Sequence, residues 1–359
     1  VDVAHPDLAG RAVNGYDFVN GDAIAEDDNG HGTHVTGIIT AIGNNSKGMM
    51  GASSARVVAV KVLNAQGWGT SYDVAAGINF CANRTDIKVI NMSMGGEHSN
   101  AIEAAVNYAV NTKGKLLIAA AGNGSTDDPT YAYPAYFSSY PEFENKVISV
   151  AASGYKWQVG DNWYLNNGCK ADYSNYGDWV SIIAPGTDIL STVPYDKPFY
   201  MNSYGEVLIP TRYAYLSGTS MATPFVAAAA ARRWGYKPTE TNSQIGSKLI
   251  ELAPCHAEVD SACWPDSMLG KPYVDVAVML GRGAVTASVA DANSGLPLNG
   301  ATIGVYSPTN VRLGSATIVP YTQKADPWET DPARVYTWYL GWTDIINLPE
   351  NSGANNLKV

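Results

Sequence analysis

Along most of the chain, short apolar segments rich in β-branched residues alternate with longer segments of helical character. The apolar segments lack the strict alternation of a sheet with one face in water, so each predicts a strand buried on both faces. The strand–helix–strand order is typical of a doubly wound α/β domain, with a mostly parallel sheet and helices on both faces. The predicted strands are residues 57–62, 87–93, 115–121, 146–152 and 179–186, and the predicted helices are 31–41, 72–83, 100–112 and 220–234.

The pattern changes near residue 283. Residues 284–359 contain short alternating segments separated by Asx and Gly turns, without a helical period. They predict a small β-sandwich-like domain of immunoglobulin or carboxypeptidase-regulatory type, appended to a main domain at 1–283. Since the sequence ends abruptly, we expect this β domain to be incomplete. Such a domain could contact a surface or a carbohydrate.

Composition narrows the function classes. The formal net charge is −10 and the pI about 4.9, which argues against nucleic acid as a partner. No segment reaches the roughly 20 apolar residues of a membrane span. The acidic, tyrosine-rich composition favours an extracellular protein. The cysteines leave two alternatives open, buried thiols or two disulfides that include a local Cys255–Cys263 pair; the other two are Cys81 and Cys169.

One serine stands at the start of the last predicted helix. Ser220 follows Gly218 and Thr219, and Pro224 lies in the first turn, where a missing N–H is tolerated. Backbone N–H groups at such a helix end are unpaired and carry partial positive charge. Ser220 is therefore either a capping residue or a nucleophile whose own N–H stabilises an oxyanion.

Two further residues have chemistry that complements a serine nucleophile. His31 lies between two glycines at the start of a predicted helix, and its spacing to His34 is not that of a helical zinc pair. Asn123 follows the strand 115–121, at the edge of the sheet where sites form. A nucleophilic serine needs a base and donors for the oxyanion, which His31 and the Asn123 side-chain amide can supply.

The segments HGTHVTG (31–37), AAAGN (119–123) and GTSMATPFVA (218–227) together resemble the subtilisin-like serine proteases, the subtilases. They come in the order of that family, VINMSMGG (89–96) lies between the first two, and the resemblance covers about residues 1–283. It implies a subtilisin-like fold and a secreted serine endopeptidase that cleaves polypeptides through an acyl-enzyme, without an organic cofactor. Ser220 would be the nucleophile and His31 the general base, and Asn123 with the Ser220 N–H would form the oxyanion hole.

The resemblance also implies two edge segments that pair with an extended peptide. Glycines in both segments leave room for backbone hydrogen bonds to a substrate. Trp68 either walls an outer pocket or is a half-exposed core aromatic. The residues concerned are Gly67, Trp68 and Gly69 in one segment and Ser93, Met94, Gly95 and Gly96 in the other.

The carboxylate of the triad is missing from the sequence. By the resemblance it belongs three residues before Val1, and Asp2 and Asp7 correspond to later positions of the motif. We expect a truncated chain of impaired activity; a nicked form and a catalytically inactive binding or adhesion protein are the alternatives. A serine protease that loses this carboxylate loses about 10⁴-fold in turnover.

Subtilases often bind calcium in a loop equivalent to residues 43–49. Matching positions here would offer the side chains of Asp7 and Asn45, oxygen ligands of the type that Ca²⁺ prefers. One usual ligand would come from the segment before Val1. The backbone carbonyls of Gly43, Lys47 and Met49 complete the expected set.

Overall fold

The computed structural model describes residues 1–43, 45, 47–159, 162–194, 198–201, 205–208, 212–251, 271, 274, 302–306, 312–317, 319–323 and 336–340. The chain divides into two compact units, Val1–Met279 and Leu280–Val359. The predicted boundary at residue 283 lies outside the described residues.

Strands and helices alternate along the first unit, as the hydrophobic pattern predicts. Its strands are β1 (Ala12–Asp17), β2 (Val57–Lys61), β3 (Val89–Met92), β4 (Leu116–Ala120), β5 (Val147–Val159), β6 (Asn162–Lys170), β7 (Ile182–Pro185), β8 (Ile189–Thr192), β9 (Pro198–Met201), β10 (Gly205–Leu208) and β11 (Tyr213–Leu216). Its helices are α1 (His31–Thr40), α2 (Ser71–Asn83), α3 (Asn100–Asn107), which continues as a π-turn over Tyr108–Thr112, α4 (Thr219–Tyr236) and α5 (Asn242–Glu251).

The central sheet is mostly parallel. The pairs β3–β4, β4–β5 and β5–β7 are parallel, and only β6 runs antiparallel, as a hairpin with β5. A separate parallel pair joins β1 to β2. Two short antiparallel pairs, β8–β11 and β9–β10, complete the sheets of this unit.

Strand β4 shows how both faces of the sheet are covered. All five of its residues are buried, which explains its unbroken apolar sequence. Leu117 and Ala119 join the apolar cluster formed with α2 and α3, and Leu116 and Ile118 join the one formed with α4 and α5. Helices therefore cover both faces, and the predicted doubly wound α/β architecture is confirmed.

Helix α1 packs closely against β8 and α4. A Cβ on Gly37 would lie 2.3 Å from Ser191 Oγ and 2.4 Å from Thr192 Oγ1, so only glycine permits this approach. On α1, Val35, Ile38 and Ile39 share an apolar cluster with residues of α4, Met221 and Ala228. The two helices that begin at the predicted histidine and serine segments are thus in contact.

The second unit contains two antiparallel strand pairs within its described residues. β12 (Thr302–Tyr306) pairs with β13 (Arg312–Thr317), and β14 (Val319–Gln323) pairs with β15 (Tyr336–Leu340). An incomplete sandwich and its surface contacts stay predictions.

The cysteines correct one expectation. Cys169 is disulfide-bonded, whereas Cys81 in α2 is a free, buried thiol, and burial raises its pKa to about 11. With Cys81 free, the remaining three cysteines can form one bridge within the chain, so the prediction of two disulfides is wrong. Cys255 and Cys263 lie outside the described residues.

No helix in the described part of the chain combines the length and apolarity needed to cross a bilayer.

Candidate active site

Ser220 lies in the first turn of α4, half-buried. The cap position of this helix is Gly218, and no side chain caps it. The Ser220 hydroxyl instead donates to the backbone oxygen of Ser93 at 3.2 Å, and Ser93 Oγ donates to the Ser220 backbone oxygen at 2.8 Å. The alternative of a capping serine is therefore wrong. The hydroxyl is available on the surface of the helix start, held against the segment that follows β3.

The side chain of Asn123 is oriented by Thr219. Asn123 Oδ1 accepts hydrogen bonds from Thr219 N at 2.9 Å and from Thr219 Oγ1 at 3.0 Å. Both bonds use the amide oxygen, so the amide nitrogen points elsewhere. Thr219 was not among the residues predicted for the site, although its position between Gly218 and Ser220 at the helix start marks it as a candidate.

Two N–H donors lie beside Gly218. A Cβ on Gly218 would lie 3.5 Å from Asn123 Nδ2 and 3.6 Å from Ser220 N. Both nitrogens therefore lie on the side of Gly218 from which a side chain would project, and glycine leaves that side open. A carbonyl oxygen placed there can accept from both, and such an arrangement stabilises a negative charge that develops on it.

His31 is the first residue of α1 and is half-buried. Burial lowers the pKa of its imidazole, and the negative charge of Asp27 opposes that shift. Among the described residues, no hydrogen bond joins the imidazole to another group, the Ser220 hydroxyl included. The structure thus places His31 and Ser220 in the first turns of two helices that touch. Hydrogen bonds between catalytic groups are often absent until substrate binds.

Asp27 holds the start of α1 and was missed by the sequence analysis. Its Oδ1 accepts from Gly30 N at 2.7 Å and Asn29 N at 3.1 Å, and its Oδ2 accepts from Thr33 N at 2.7 Å and Thr33 Oγ1 at 2.5 Å. Four donors therefore fix a buried carboxylate beside His31. An aspartate three residues before a helix cap is a signal that could have identified it.

Of the two predicted peptide-binding segments, Ser93–Gly96 lies next to Ser220. Ser93 contacts Ser220 directly, and Gly96 pairs with Tyr133 through N–H···O bonds of 2.9 and 3.1 Å. Gly95 is exposed beside this pair, and Met94 packs against the core.

The other segment lies in a turn next to the His31 loop. Asn29 Nδ2 donates to Ala65 O at 2.8 Å. Within the turn, the Asn64 N–H donates to Trp68 O, and the Trp68 N–H donates to Asn64 Oδ1. Trp68 is 76 % exposed, so it is not a core aromatic. Gly67 has a positive φ, and Gly69 packs against Val62 O.

Two of the predicted calcium ligands, Asn45 and Met49, contact Asp7, which is buried, and Lys47 N donates to Asn45 Oδ1 at 3.0 Å. Asp7 Oδ1 accepts from Asn45 Nδ2 at 2.7 Å, and Oδ2 accepts from Tyr213 OH at 2.8 Å and Met49 N at 3.2 Å. No group of three or more His, Cys, Asp or Glu side chains in the described ranges is placed to hold a metal ion. An ion at this position would depend on Asp7, an amide oxygen of Asn45 and backbone carbonyls, which is a donor set that suits Ca²⁺.

Comparisons with known proteins identify the family of the chain. The Subtilase family model matches residues 1–281. The chain is 42% identical over 228 residues to thermitase of Thermoactinomyces vulgaris, across 63% of this chain and 68% of thermitase. It is also 42% identical over 233 residues to a thermophilic serine proteinase of Bacillus sp. (strain AK1), across 64% of this chain but only 49% of that protein.

A solved structure described as a cold adapted subtilisin-like serine proteinase superposes with a TM-score of 0.59 at 30% identity, over 76% of this chain and 84% of the other.

Proposed function

The chain belongs to the subtilase family, and on that premise we propose that it is a secreted serine endopeptidase that hydrolyses peptide bonds through an acyl-enzyme. One observation carries the proposal: Asn123 Nδ2 and Ser220 N lie 3.5 and 3.6 Å from the position of a Cβ on Gly218, at the start of the helix that presents the Ser220 hydroxyl. A helix-capping serine would not require such a pair.

The proposed mechanism uses three residues. Ser220 Oγ attacks the carbonyl carbon of the substrate while its proton passes to His31. The resulting oxyanion accepts hydrogen bonds from Asn123 Nδ2 and Ser220 N. His31 then protonates the leaving amine, and water, deprotonated by His31, hydrolyses the acyl-enzyme. Because burial lowers the pKa of His31, the imidazole is neutral at neutral pH, as a base must be.

We propose that the orienting carboxylate comes from an aspartate three residues before Val1. Val1 lies against Gly32, the neighbour of His31, with its Cγ2 3.6 Å from the position of a Cβ there. Two buried carboxylates of the described residues are otherwise engaged, Asp27 by four donors and Asp7 by three. The chain without that aspartate is expected to be impaired by about 10⁴-fold.

We test this function with the chain extended at Val1 by a segment ending Asp-Thr-Gly. The extended protein should react with a fluorophosphonate probe at Ser220, and peptide mapping should locate the adduct. Ser220→Ala is the matched control and should take up no label. A folded, extended protein that does not react would overturn the peptidase function and favour the alternative of a binding or adhesion protein.

Peptide substrates are proposed to lie between Gly67–Gly69 and Ser93–Gly96. Support comes from the contact of Ser93 with Ser220 and from the tie between the Ala65 turn and Asn29, two residues before His31. Trp68, being largely exposed, is available to contact an apolar substrate side chain.

We further propose a structural calcium ion held by Asp7 and Asn45 with the carbonyls of Gly43, Lys47 and Met49. Such an ion would tie the loop after α1 to the segment after Val1, and it supplies no chemistry to the reaction. Asn45 would present its amide oxygen to the ion in place of the N–H that it now donates to Asp7.

A further inference from the structure

Asn175 is a buried residue that the mechanism above does not use. It is 5% exposed and lies in the loop between β6 and β7. We propose that Asn175 is a positioning residue for the oxyanion hole, acting through the turn that carries Asn123. This inference rests on the proposed function, because it assigns Asn175 a role in that same reaction.

The Asn175 side chain forms hydrogen bonds with the turn on both sides of Asn123. Its Nδ2 donates to Ala121 O at 2.9 Å, two residues before Asn123. Its Oδ1 accepts from Gly124 N at 2.8 Å and from Thr126 N at 3.3 Å, on the other side. Its backbone N–H donates to Gly122 O at 2.9 Å. One residue thus bonds to four members of the turn and to none of the reacting groups.

The glycines of this turn lie against the Asn175 side chain. Gly122 has φ +102°, and a Cβ there would lie 2.5 Å from Asn175 Nδ2. A Cβ on Gly124 would lie 3.2 Å from Asn175 Oδ1. Asn123 is therefore flanked by two positions shaped around the Asn175 amide. Asn175 thus adds a steric reason for glycine at 122, where the positive φ already favours it, and crowds a side chain at 124.

Asn123 has a second support, which makes the role of Asn175 specific. Thr219 binds the Asn123 amide oxygen, and its Oγ1 also accepts from Gly122 N at 3.1 Å, whereas Asn175 bonds to the backbone on both sides of Asn123. The turn is also held by Ser125 N, which donates to Tyr173 O at 2.8 Å, so loss of the Asn175 side chain should loosen the turn and not release it. An oxyanion donor displaced by a fraction of an ångström binds the transition state less well but leaves substrate binding elsewhere intact.

The experiment is a double-mutant cycle in the extended protein, with a chromogenic peptide substrate. Asn175→Ala should lower kcat about tenfold and leave KM nearly unchanged. Loss of one donor of this type lowers kcat by about 10²–10³, a figure measured in subtilisin itself, so Asn123→Ala should fall in that range. In the Asn123→Ala background, Asn175→Ala should change kcat by less than about twofold, because a donor that is absent cannot be displaced.

Asn242→Ala is the matched control for a general loss of stability. Asn242 is also a buried asparagine, and its Nδ2 bridges Val110 O and Lys115 O at 2.8 and 2.9 Å, in a different part of the fold. It should lower the melting temperature as Asn175→Ala does, without the fall in kcat. Hydrogen exchange at Gly124 and Thr126 should accelerate in Asn175→Ala and not in Asn242→Ala.

The outcomes separate the inference from the function on which it rests. An active protein in which Asn175→Ala speeds exchange in the turn yet keeps kcat would overturn the inference alone. The same holds if Asn175→Ala lowers kcat equally with and without Asn123, since its effect would then bypass the oxyanion donor. An extended protein without activity, or one in which Asn123→Ala has no effect, would overturn the proposed function.

Discussion

Asp27 influences His31 both by position and by charge. Its four hydrogen bonds fix the residues around the start of α1, including Thr33. Its negative charge raises the pKa of His31 against the larger effect of burial. The same aspartate therefore determines where the imidazole stands and how readily it takes a proton.

Replacing Asp27 with asparagine removes the negative charge, and it also removes one acceptor, since an amide has a single oxygen for the donors that two carboxylate oxygens now bind. Without the negative charge the pKa of His31 should fall, so the imidazole stays neutral to lower pH. The acidic limb of the kcat/KM profile in the extended protein should then move to lower pH. The control Asp22→Asn changes an exposed carboxylate of the same loop and should leave the limb in place. A limb that stays fixed, or moves to higher pH, in Asp27→Asn would contradict this role.

Single residues also show what sequence can and cannot predict. His31, Asn123 and Ser220 stand in motifs with local signals, namely helix starts and a strand end. Asn175 carries no such signal, because its role consists of hydrogen bonds to particular backbone atoms. For Asn175 those atoms lie about 50 residues away in the chain. Only the folded structure brings them together.

At the scale of elements, the apolar pattern predicts strands whose buried side chains are apolar, such as β4. Strand β8 was missed because it buries hydroxyls. Ser191 Oγ donates to His34 O at 2.6 Å and Thr192 Oγ1 donates to Thr33 O at 2.8 Å. Polar side chains that are hydrogen-bonded to the first turn of a helix can be buried in a core. In the sequence, however, they break the apolar run that predicts a buried strand.

The contact between α1 and β11 should make stability depend on pH. His34 is completely buried, and its Nε2 lies 3.0 Å from Ala214 O. Burial lowers its pKa from 6.5 to about 4. Between these pH values the unfolded chain binds a proton at His34, whereas the folded chain does not. The folded state is therefore fully favoured above pH 6.5 and loses up to about 3 kcal/mol as the pH falls to about 4.

The variant His34→Gln tests this dependence. Glutamine can keep a donor toward Ala214 O and does not titrate. Denaturant unfolding between pH 7 and pH 4 should show a shallower loss of stability for the variant than for the parent chain, even if its stability at pH 7 is lower. Equal slopes would show that His34 does not contribute.

The whole molecule carries a formal net charge of −10, which favours binding of a divalent cation at any suitable site. The proposed calcium site joins segments that are far apart in sequence, around Asp7 and Asn45. An ion bound only by the folded state stabilises it by about 2.7 kcal/mol at a hundredfold excess over Kd.

Calcium should therefore raise the melting temperature of the chain, by roughly 4–5 °C at a hundredfold excess over Kd. Magnesium at the same concentration should have little effect, because it requires a smaller octahedral site. Asn45→Ala should reduce the calcium response, and calorimetric titration should give the binding heat directly. No heat and no thermal shift with Ca²⁺ would exclude the site.

The pairing of Gly96 with Tyr133 limits which polypeptides can be cut. Both backbone groups of Gly96 are already bonded, so in an extended segment those of Gly95 face the opposite, free edge. On the proposed function, a substrate must lie along that edge as a straightened stretch of chain. Folded proteins would then be cleaved only as fast as their surface loops unfold locally, and misfolded or denatured proteins would be cleaved first.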